Sequence, residues 1–124
     1  MTMVGAIVKP QLLPKPADAA GNIRARVEFV VGEIDNDKYS TVVKIQTLKD
    51  PFSSKWGLSF TLPANQTIES TSRGFVRVVN NTVTVTSDNA AEPEKNMAAI
   101  FKITGLFGGE YVLPSATSAV FTST

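Results

Sequence analysis

Carboxylates are the side chains of this sequence best suited to chemistry, and they fall in two short segments. The Asp-Asn-Asp segment at residues 35–37 offers the oxygen ligands that calcium prefers, but it lacks the glycine and distal glutamate of an EF-hand loop. Asp88, Glu92 and Glu94 offer calcium ligands too, or a carboxylate pair for glycoside hydrolysis. Such a pair needs a fixed separation across a cleft, whereas these three residues share one predicted loop. We interpret both segments as solvated acidic loops, with calcium binding left open, and predict no catalytic residue and no metal site.

Histidine and cysteine are both absent from the 124 residues. Their absence removes the commonest metal ligand, thiolate nucleophiles and disulfide bonds, and with them most hydrolytic and redox chemistry. We therefore predict a protein that is not an enzyme and uses no cofactor. The 12 Lys and Arg balance 11 Asp and Glu, for a net charge of +1, so no strong field attracts phosphates or anionic lipids. Neither nucleic acid nor a membrane is an expected partner.

Arginine and aromatic side chains are the remaining candidates for ligand recognition. Four arginines lie in or beside predicted strands: Arg24, Arg26, Arg73 and Arg77. They either line one outer face that meets an anionic glycan or simply solubilise the strands. Three aromatic residues lie in or beside predicted turns: Tyr39, Phe107 and Tyr111. They either stack on a ligand or pack at the rim of the core.

The elements that must position these residues are β-strands. From Ile23 onward apolar and polar residues alternate with period two, which is typical of strands with one buried face. The clearest alternation starts at Trp56 and continues to Leu62, and its phase predicts that Trp56 lies in the core. About seven short strands and no helical pattern predict an all-β fold. The expected architecture is an antiparallel two-sheet β-sandwich of jelly-roll or immunoglobulin-like topology, with seven or more strands.

Two turns can be placed between these strands. Residues 32–38 have the polar composition of a turn, and Asn80-Asn81 suits a two-residue hairpin because asparagine tolerates positive φ. After that hairpin, Val83 and Val85 are predicted to face the core while the adjacent threonines face outward.

The first 18 residues are predicted to be an arm or linker, and residues 19–124 the sandwich domain. Three prolines between residues 10 and 16 favour extended backbone. The apolar stretch at residues 3–8 is too short for the core of a secretory signal, and no positive segment precedes it. No run approaches the roughly 20 apolar residues of a membrane-spanning helix.

Several runs of the sequence resemble the family 2 carbohydrate-binding modules, which are bacterial cellulose- and chitin-binding sandwich domains. The W-G-L-S-F-T-L-P run at residues 56–63 and the following A-N-Q-T-I-E-S at 64–70 are similar to that family's central strand and G-Q-x-I turn. Residues 81–87 resemble its hairpin strand, residues 99–105 its strand ending in F-x-x-x-G, and residues 114–121 its P-x-x-x-F close. The resemblance implies a noncatalytic module that binds a polysaccharide.

The family's exposed aromatic residues are missing from the matching places. Members that bind crystalline cellulose present coplanar rings, because flat sugar faces stack on them. Here the corresponding places are residues 22–24, 72–73 and 89–90, which include no aromatic side chain. We therefore expect weak or absent binding to crystalline cellulose, and we assign any glycan contact to polar residues at these places. The candidate ligand-binding residues are Asn22, Arg24, Ser72, Arg73 and Asn89.

Two functional hypotheses follow. The first is a glycan-binding module with altered specificity. The second is a structural or assembly protein that keeps the sandwich and self-associates as a homo-oligomer, with the N-terminal arm crossing between subunits. Localisation stays open, since the resemblance suggests secretion while the missing cysteines fit a cytoplasmic protein.

Overall fold

Two antiparallel sheets make up the fold. The computed structural model describes residues 15–49, 55–87 and 98–123, and within these it has nine strands and a short 3-10 helix at Ala116–Ser118. The five-stranded sheet has the order β1 (Ala17–Ala19), β2 (Ala25–Asp35), β3 (Lys38–Thr47), β8 (Ala98–Phe107) and β5 (Gln66–Thr71). The four-stranded sheet has the order β6 (Phe75–Val79), β7 (Thr82–Thr86), β4 (Trp56–Thr61) and β9 (Val120–Ser123). The predicted all-β, antiparallel two-sheet sandwich is confirmed.

The core lies between the sheets because the inward residues of each strand are apolar. Trp56 is only 4% exposed, which confirms its predicted core position. Its ring centroid lies 5.9 Å from that of Phe101 in the opposite sheet and 6.1 Å from that of Phe121 in β9. Phe29 and Phe60 form a second pair across the two sheets, with centroids 4.8 Å apart. These aromatic contacts bind the two layers together.

The turn between β6 and β7 forms as the sequence predicts. Asn80 and Asn81 both adopt the left-handed region, with φ of 49° and 66°, which matches the right-handed twist of the flanking strands. Val83 and Val85 are fully buried, and the threonines of β7 face outward. This hairpin confirms the predicted inward and outward faces of β7.

The turn predicted over residues 32–38 is too long. In the structure β2 continues to Asp35, which pairs with Lys38, and the chain reverses at residues 36–37, where Asn36 has a φ of 59°. A register shift between Val31 and Ile34 separates the buried part of β2 from an exposed hairpin end. The polar residues signalled exposure, but the backbone remains paired because a hairpin can extend beyond the core.

Two strands have no counterpart in the sequence prediction. β1 includes Ala17 and Asp18, so the first strand begins two residues before residue 19, the predicted start of the sandwich domain. The arm's residues 1–14 lie outside the described residues. β5 supplies an edge of the five-stranded sheet, and it passes so close to β8 that a Cβ on Gly105 would lie 1.9 Å from the carbonyl oxygen of Thr67. Only glycine fits at that crossing.

The three aromatic residues beside the turns pack against each other. Tyr39 and Tyr111 are 3% and 4% exposed, their ring centroids lie 5.3 Å apart, and Phe107 contacts both. The Tyr39 hydroxyl donates to the carbonyl of Thr67 at 3.0 Å, and the Tyr111 hydroxyl shares a 2.5 Å hydrogen bond with Thr41. The packing interpretation is therefore confirmed: the two tyrosine rings are buried, and Phe107 is half-buried against them.

Stability is expected to fall in alkali because of this cluster. Burial raises the pKa of both Tyr39 and Tyr111, and the neighbouring Tyr111 raises the pKa of Tyr39 further. Unfolded tyrosines ionise near pH ~10, so above that pH the folded state holds protons that the unfolded state releases. The free energy of unfolding must then decrease as the pH rises through about 10.

The measurement is tyrosinate absorbance followed alongside circular dichroism during an alkaline titration. The sequence contains two tyrosines, both in this cluster, so the absorbance reports these groups alone. Tyrosinate is expected to form only as the β-sheet signal is lost. Ionisation near pH ~10 with the sheet intact would contradict the buried cluster. The Tyr39→Phe variant should lose less stability over the same rise in pH, because it has one buried phenol fewer.

Candidate functional site

The outer surface of the four-stranded sheet presents hydroxyl side chains on neighbouring strands. Residues paired across antiparallel strands share a face, so the register identifies the outward set. The alternation T-V-T-V-T in β7 places every threonine on this surface and every valine in the core. We call the surface the hydroxyl face, and its residues are Gly57, Ser59, Thr61, Phe75, Arg77, Val79, Thr82, Thr84, Thr86, Val120 and Thr122.

Phe75 is a large aromatic side chain on the edge of this face. It is 66% exposed and lies across from Thr86 in the register. In the part of the chain that the structure describes, its ring pairs with no other ring. An exposed ring on a sheet surface offers a flat apolar platform at the end of a row of polar groups.

Phe75, Thr86, Gly57 and Thr122 lie side by side across the four strands and form one row of the hydroxyl face. Gly57 leaves a depression in this row, between Thr86 and Thr122. A Cβ at Gly57 would have as its nearest neighbours the Thr122 hydroxyl oxygen at 3.6 Å, the Val85 carbonyl oxygen at 3.8 Å and a Thr86 methyl carbon at 3.9 Å. These are ordinary van der Waals distances, so packing does not require glycine here. A strand glycine that packing does not require leaves room for a ligand to approach the backbone closely.

Further hydroxyl side chains lie around Phe75 and Gly57 on the same face. The Ser59 and Thr84 hydroxyls hydrogen-bond each other at 3.2 Å, which holds both side chains in place. Thr82 and Thr86 are exposed on either side along β7. A shallow groove of about 410 Å³ runs along β6 and β7 past the three threonines of β7. Each hydroxyl can donate one hydrogen bond and accept two, so the face can bind a polyhydroxylated molecule.

Arg77 is the one charged residue in the four strands of this sheet. It lies next to Thr84 in the register, and within residues 15–49, 55–87 and 98–123 no acidic group comes within 4.0 Å of it. Arg26 faces outward on the other sheet, where it lies 3.5 Å from Asp18. The hypothesis that the arginines share one outer face is therefore wrong, because the phase of each strand sends Arg26 and Arg77 to opposite sides of the sandwich.

Asn22 and Arg24 lie beside the edge of the sandwich formed by β1 and β9. The Asn22 carboxamide donates to the Ser123 carbonyl at 2.6 Å and accepts from the Ser123 amide at 2.9 Å. Arg24 is exposed and lies 3.8 Å from Asp18. Asn22 therefore joins the β1–β2 loop to β9.

Ser72 and Arg73 lie between β5 and β6, on the opposite edge of the sandwich. The Ser72 amide donates to the Lys102 carbonyl at 2.8 Å, and the Ser72 hydroxyl accepts from the Lys102 amide at the same distance. Arg73 is half-buried, and its amide donates to the Thr71 hydroxyl at 3.4 Å. Asn89 lies outside the described residues.

Asn22 and the Ser72–Arg73 pair lie at opposite edges of the hydroxyl face and do not come together. Asn22 adjoins Ser123 in β9, which pairs with Trp56, while Ser72 and Arg73 lead into Phe75 at the opposite edge. The row from Phe75 to β9 crosses three strand spacings, or about 14 Å. The predicted residues are therefore separated by the width of the face.

No metal site is visible in the described residues. Within them, no group of three or more Asp and Glu side chains is placed to hold an ion. The acidic segment at 35–37 lies in the β2–β3 hairpin, and Asp88, Glu92 and Glu94 lie outside the described residues. In the same part of the chain no helix has the length and apolar character needed to cross a bilayer.

Comparison with solved structures identifies the fold. The internal xylan binding domain of Xyn10A from C. fimi matches with a TM-score of 0.57 at 20% identity, over 81% of this chain and 98% of that one. The chitin-binding domain of Chi18aC from Streptomyces coelicolor matches with a TM-score of 0.59 at 13% identity, over 77% and 89%. Likeness at these identities shows a shared sandwich fold.

A larger enzyme contains the same fold as one part. The GH20 exo-β-N-acetylglucosaminidase from Vibrio harveyi matches with a TM-score of 0.57 at 19% identity over 70% of this chain, which spans 13% of the enzyme's length. No family model and no curated protein matches the sequence. The solved domains with this fold, including those for chitin and xylan, extend over most of this chain.

Phe75 and Gly57 of the hydroxyl face were missed from the sequence, whereas Arg77 was one of the four arginines considered for an anionic glycan. Phe75 and Arg77 have the outward phase of a strand that pairs with β7, and a large aromatic in that phase was a usable signal. Gly57 gave no such signal, because its role depends on which side chains surround it in three strands.

Proposed function

We propose that the chain is a noncatalytic glycan-binding module and that the hydroxyl face is its binding surface. The observation that supports this most is the exposed Phe75 at the end of a row of hydroxyl side chains. A sugar ring has an apolar C–H face that stacks on an aromatic ring, and its hydroxyls exchange hydrogen bonds with threonine and serine. The small Gly57 then allows the glycan to lie close to the sheet.

The predicted candidates at the edges of this face, Asn22, Ser72 and Arg73, have a supporting role in the proposal. Asn22 directs both polar atoms of its side chain to β9, so it shapes one end of the surface. Ser72 and Arg73 precede Phe75 and extend the polar rim at the opposite edge. The separation of Asn22 from these two residues suits a glycan that crosses the strands. Arg24 pairs with Asp18, as Arg26 does on the other outer surface, and Asn89 lies outside the described residues.

The ligand form we propose is a single soluble polysaccharide chain. One exposed ring on the face cannot reproduce a coplanar set, so binding to crystalline cellulose should be weak. The known domains with this fold include chitin- and xylan-binding ones, which supports a glycan ligand in general terms.

Replacing Phe75 with alanine should weaken glycan binding about tenfold, since aromatic stacking contributes ~1 kcal/mol or more. The measurement is isothermal titration calorimetry against soluble xylan and chitin oligosaccharides. Ile100→Ala is the matched control, because Ile100 is 61% exposed on the outer surface of the other sheet. Equal loss in both variants would contradict the proposal, and so would failure of the unaltered protein to bind either these neutral oligosaccharides or acidic glycans.

Self-association is the second candidate function. Its one favourable feature is β6, an edge strand on which Val78 and Val79 are exposed beside Phe75. Exposed apolar edges recruit further strands. Deleting residues 1–14 removes none of the described strands, so a loss of oligomer size in light scattering would report an arm that crosses between subunits. A monomer before and after the deletion would exclude this candidate.

A further inference from the structure

The electrostatic character of the hydroxyl face sets it apart from the other outer surface. Its four strands carry one charged residue, Arg77, and no carboxylate. On the five-stranded sheet positive groups lie near negative ones: Arg26 is 3.5 Å from Asp18, and Lys44 lies opposite Glu28 in the register. Arg77 therefore has a charge that the described residues do not balance.

Arg77 is also placed next to the aromatic platform. Phe75 and Arg77 are two residues apart on one strand, so both side chains project from the same face about 7 Å apart. Thr84 lies across from Arg77 and holds a hydrogen bond to Ser59, which keeps the neighbouring hydroxyls in position. A sugar stacked on Phe75 would bring a substituent of its own or of the next ring to the guanidinium.

We propose that the hydroxyl face recognises an acidic polysaccharide, in which uronic acid carboxylates bind Arg77 while a sugar ring stacks on Phe75. The inference rests on the proposed function, since it names the ligand class of the same surface. A planar guanidinium binds a carboxylate through two parallel hydrogen bonds, which no other group on this face can offer. The absence of carboxylates in the four strands means that an acidic chain meets no like charge there.

The test compares glycans that differ in charge and are otherwise similar. Three pairs serve: oligogalacturonate and its methyl ester, glucuronoxylan and xylan, and hyaluronan and its methyl ester. Affinity is measured by calorimetry at low and high salt for the unaltered protein, Arg77→Gln and Lys102→Gln. The Lys102 variant removes the same charge from the outer surface of the other sheet, so it controls for net charge.

In at least one pair the acidic member is expected to bind about tenfold tighter, with the preference weakened by salt. Arg77→Gln should abolish that preference, while Lys102→Gln should keep it. Equal or tighter binding of the neutral member in every pair that binds overturns the inference and leaves the proposed function standing. A preference that survives Arg77→Gln also overturns it. No binding to any of the six glycans overturns the proposed function itself.

Discussion

Replacing Trp56 with alanine is expected to lower the free energy of unfolding by about 3–5 kcal/mol. The side chain is 4% exposed and contacts the rings of Phe101 and Phe121, so its removal leaves a cavity between the two sheets. Urea denaturation measures the change. Phe75→Ala provides the control, because that ring is 66% exposed and its loss should change stability by less than ~1 kcal/mol.

Fluorescence gives an independent check, since Trp56 is the sole tryptophan of the sequence. A blue-shifted emission that acrylamide quenches poorly is expected from the folded protein. Comparable losses of stability in the two alanine variants, or an emission that is fully quenched, would contradict a core position for Trp56.

Replacing Gly57 with valine is expected to weaken glycan binding about a hundredfold. The new side chain fills the depression and lifts the ligand away from the neighbouring hydroxyls and from Phe75. Losing two hydrogen bonds and the aromatic contact, at ~1 kcal/mol each, corresponds to that factor. Folding should not suffer, because a Cβ added at this position has ordinary contacts and valine favours strands.

Gly108→Val is the matched control for this substitution. A Cβ at Gly108 meets nothing within 4 Å, and the residue lies outside the four-stranded sheet. Calorimetry should show unchanged glycan affinity for Gly108→Val, and thermal denaturation should show that both variants remain folded. Full affinity in a folded Gly57→Val protein would mean that the ligand does not cross the sheet at this point.

Local patterns predict much of this fold, because each acts through nearby residues. The alternation around Trp56 places it in the core, and the asparagines at 80–81 form the expected turn since both tolerate positive φ. The threonines of β7 face outward as their phase requires. Such signals depend on the period-two alternation of a strand, so they can be read without knowing the partner strands.

The rest of the fold depends on pairing between strands that are distant in sequence, which local patterns do not reveal. β1 is three residues long and β5 contains a register shift, so neither carries a clear alternation, and both are stabilised by neighbours distant in sequence. The proposed binding surface is equally hard to predict from local patterns. Phe75, Gly57 and Thr122 belong to three strands that adjoin only through the order β6-β7-β4-β9, and their shared face is set by register. Sequence patterns therefore predicted candidates beside the face and left out Phe75 at its edge and Gly57 within it.

Backbone amide chemical shifts, recorded by NMR during titration with the tightest-binding glycan of the panel, test the central claim most directly. We expect the perturbations to concentrate on the hydroxyl face, at Gly57, Phe75, Arg77, Thr84 and Thr86. The outer surface of the five-stranded sheet should stay unchanged. Perturbations confined to that other surface, or none at saturating glycan, would contradict a glycan-binding role for the hydroxyl face.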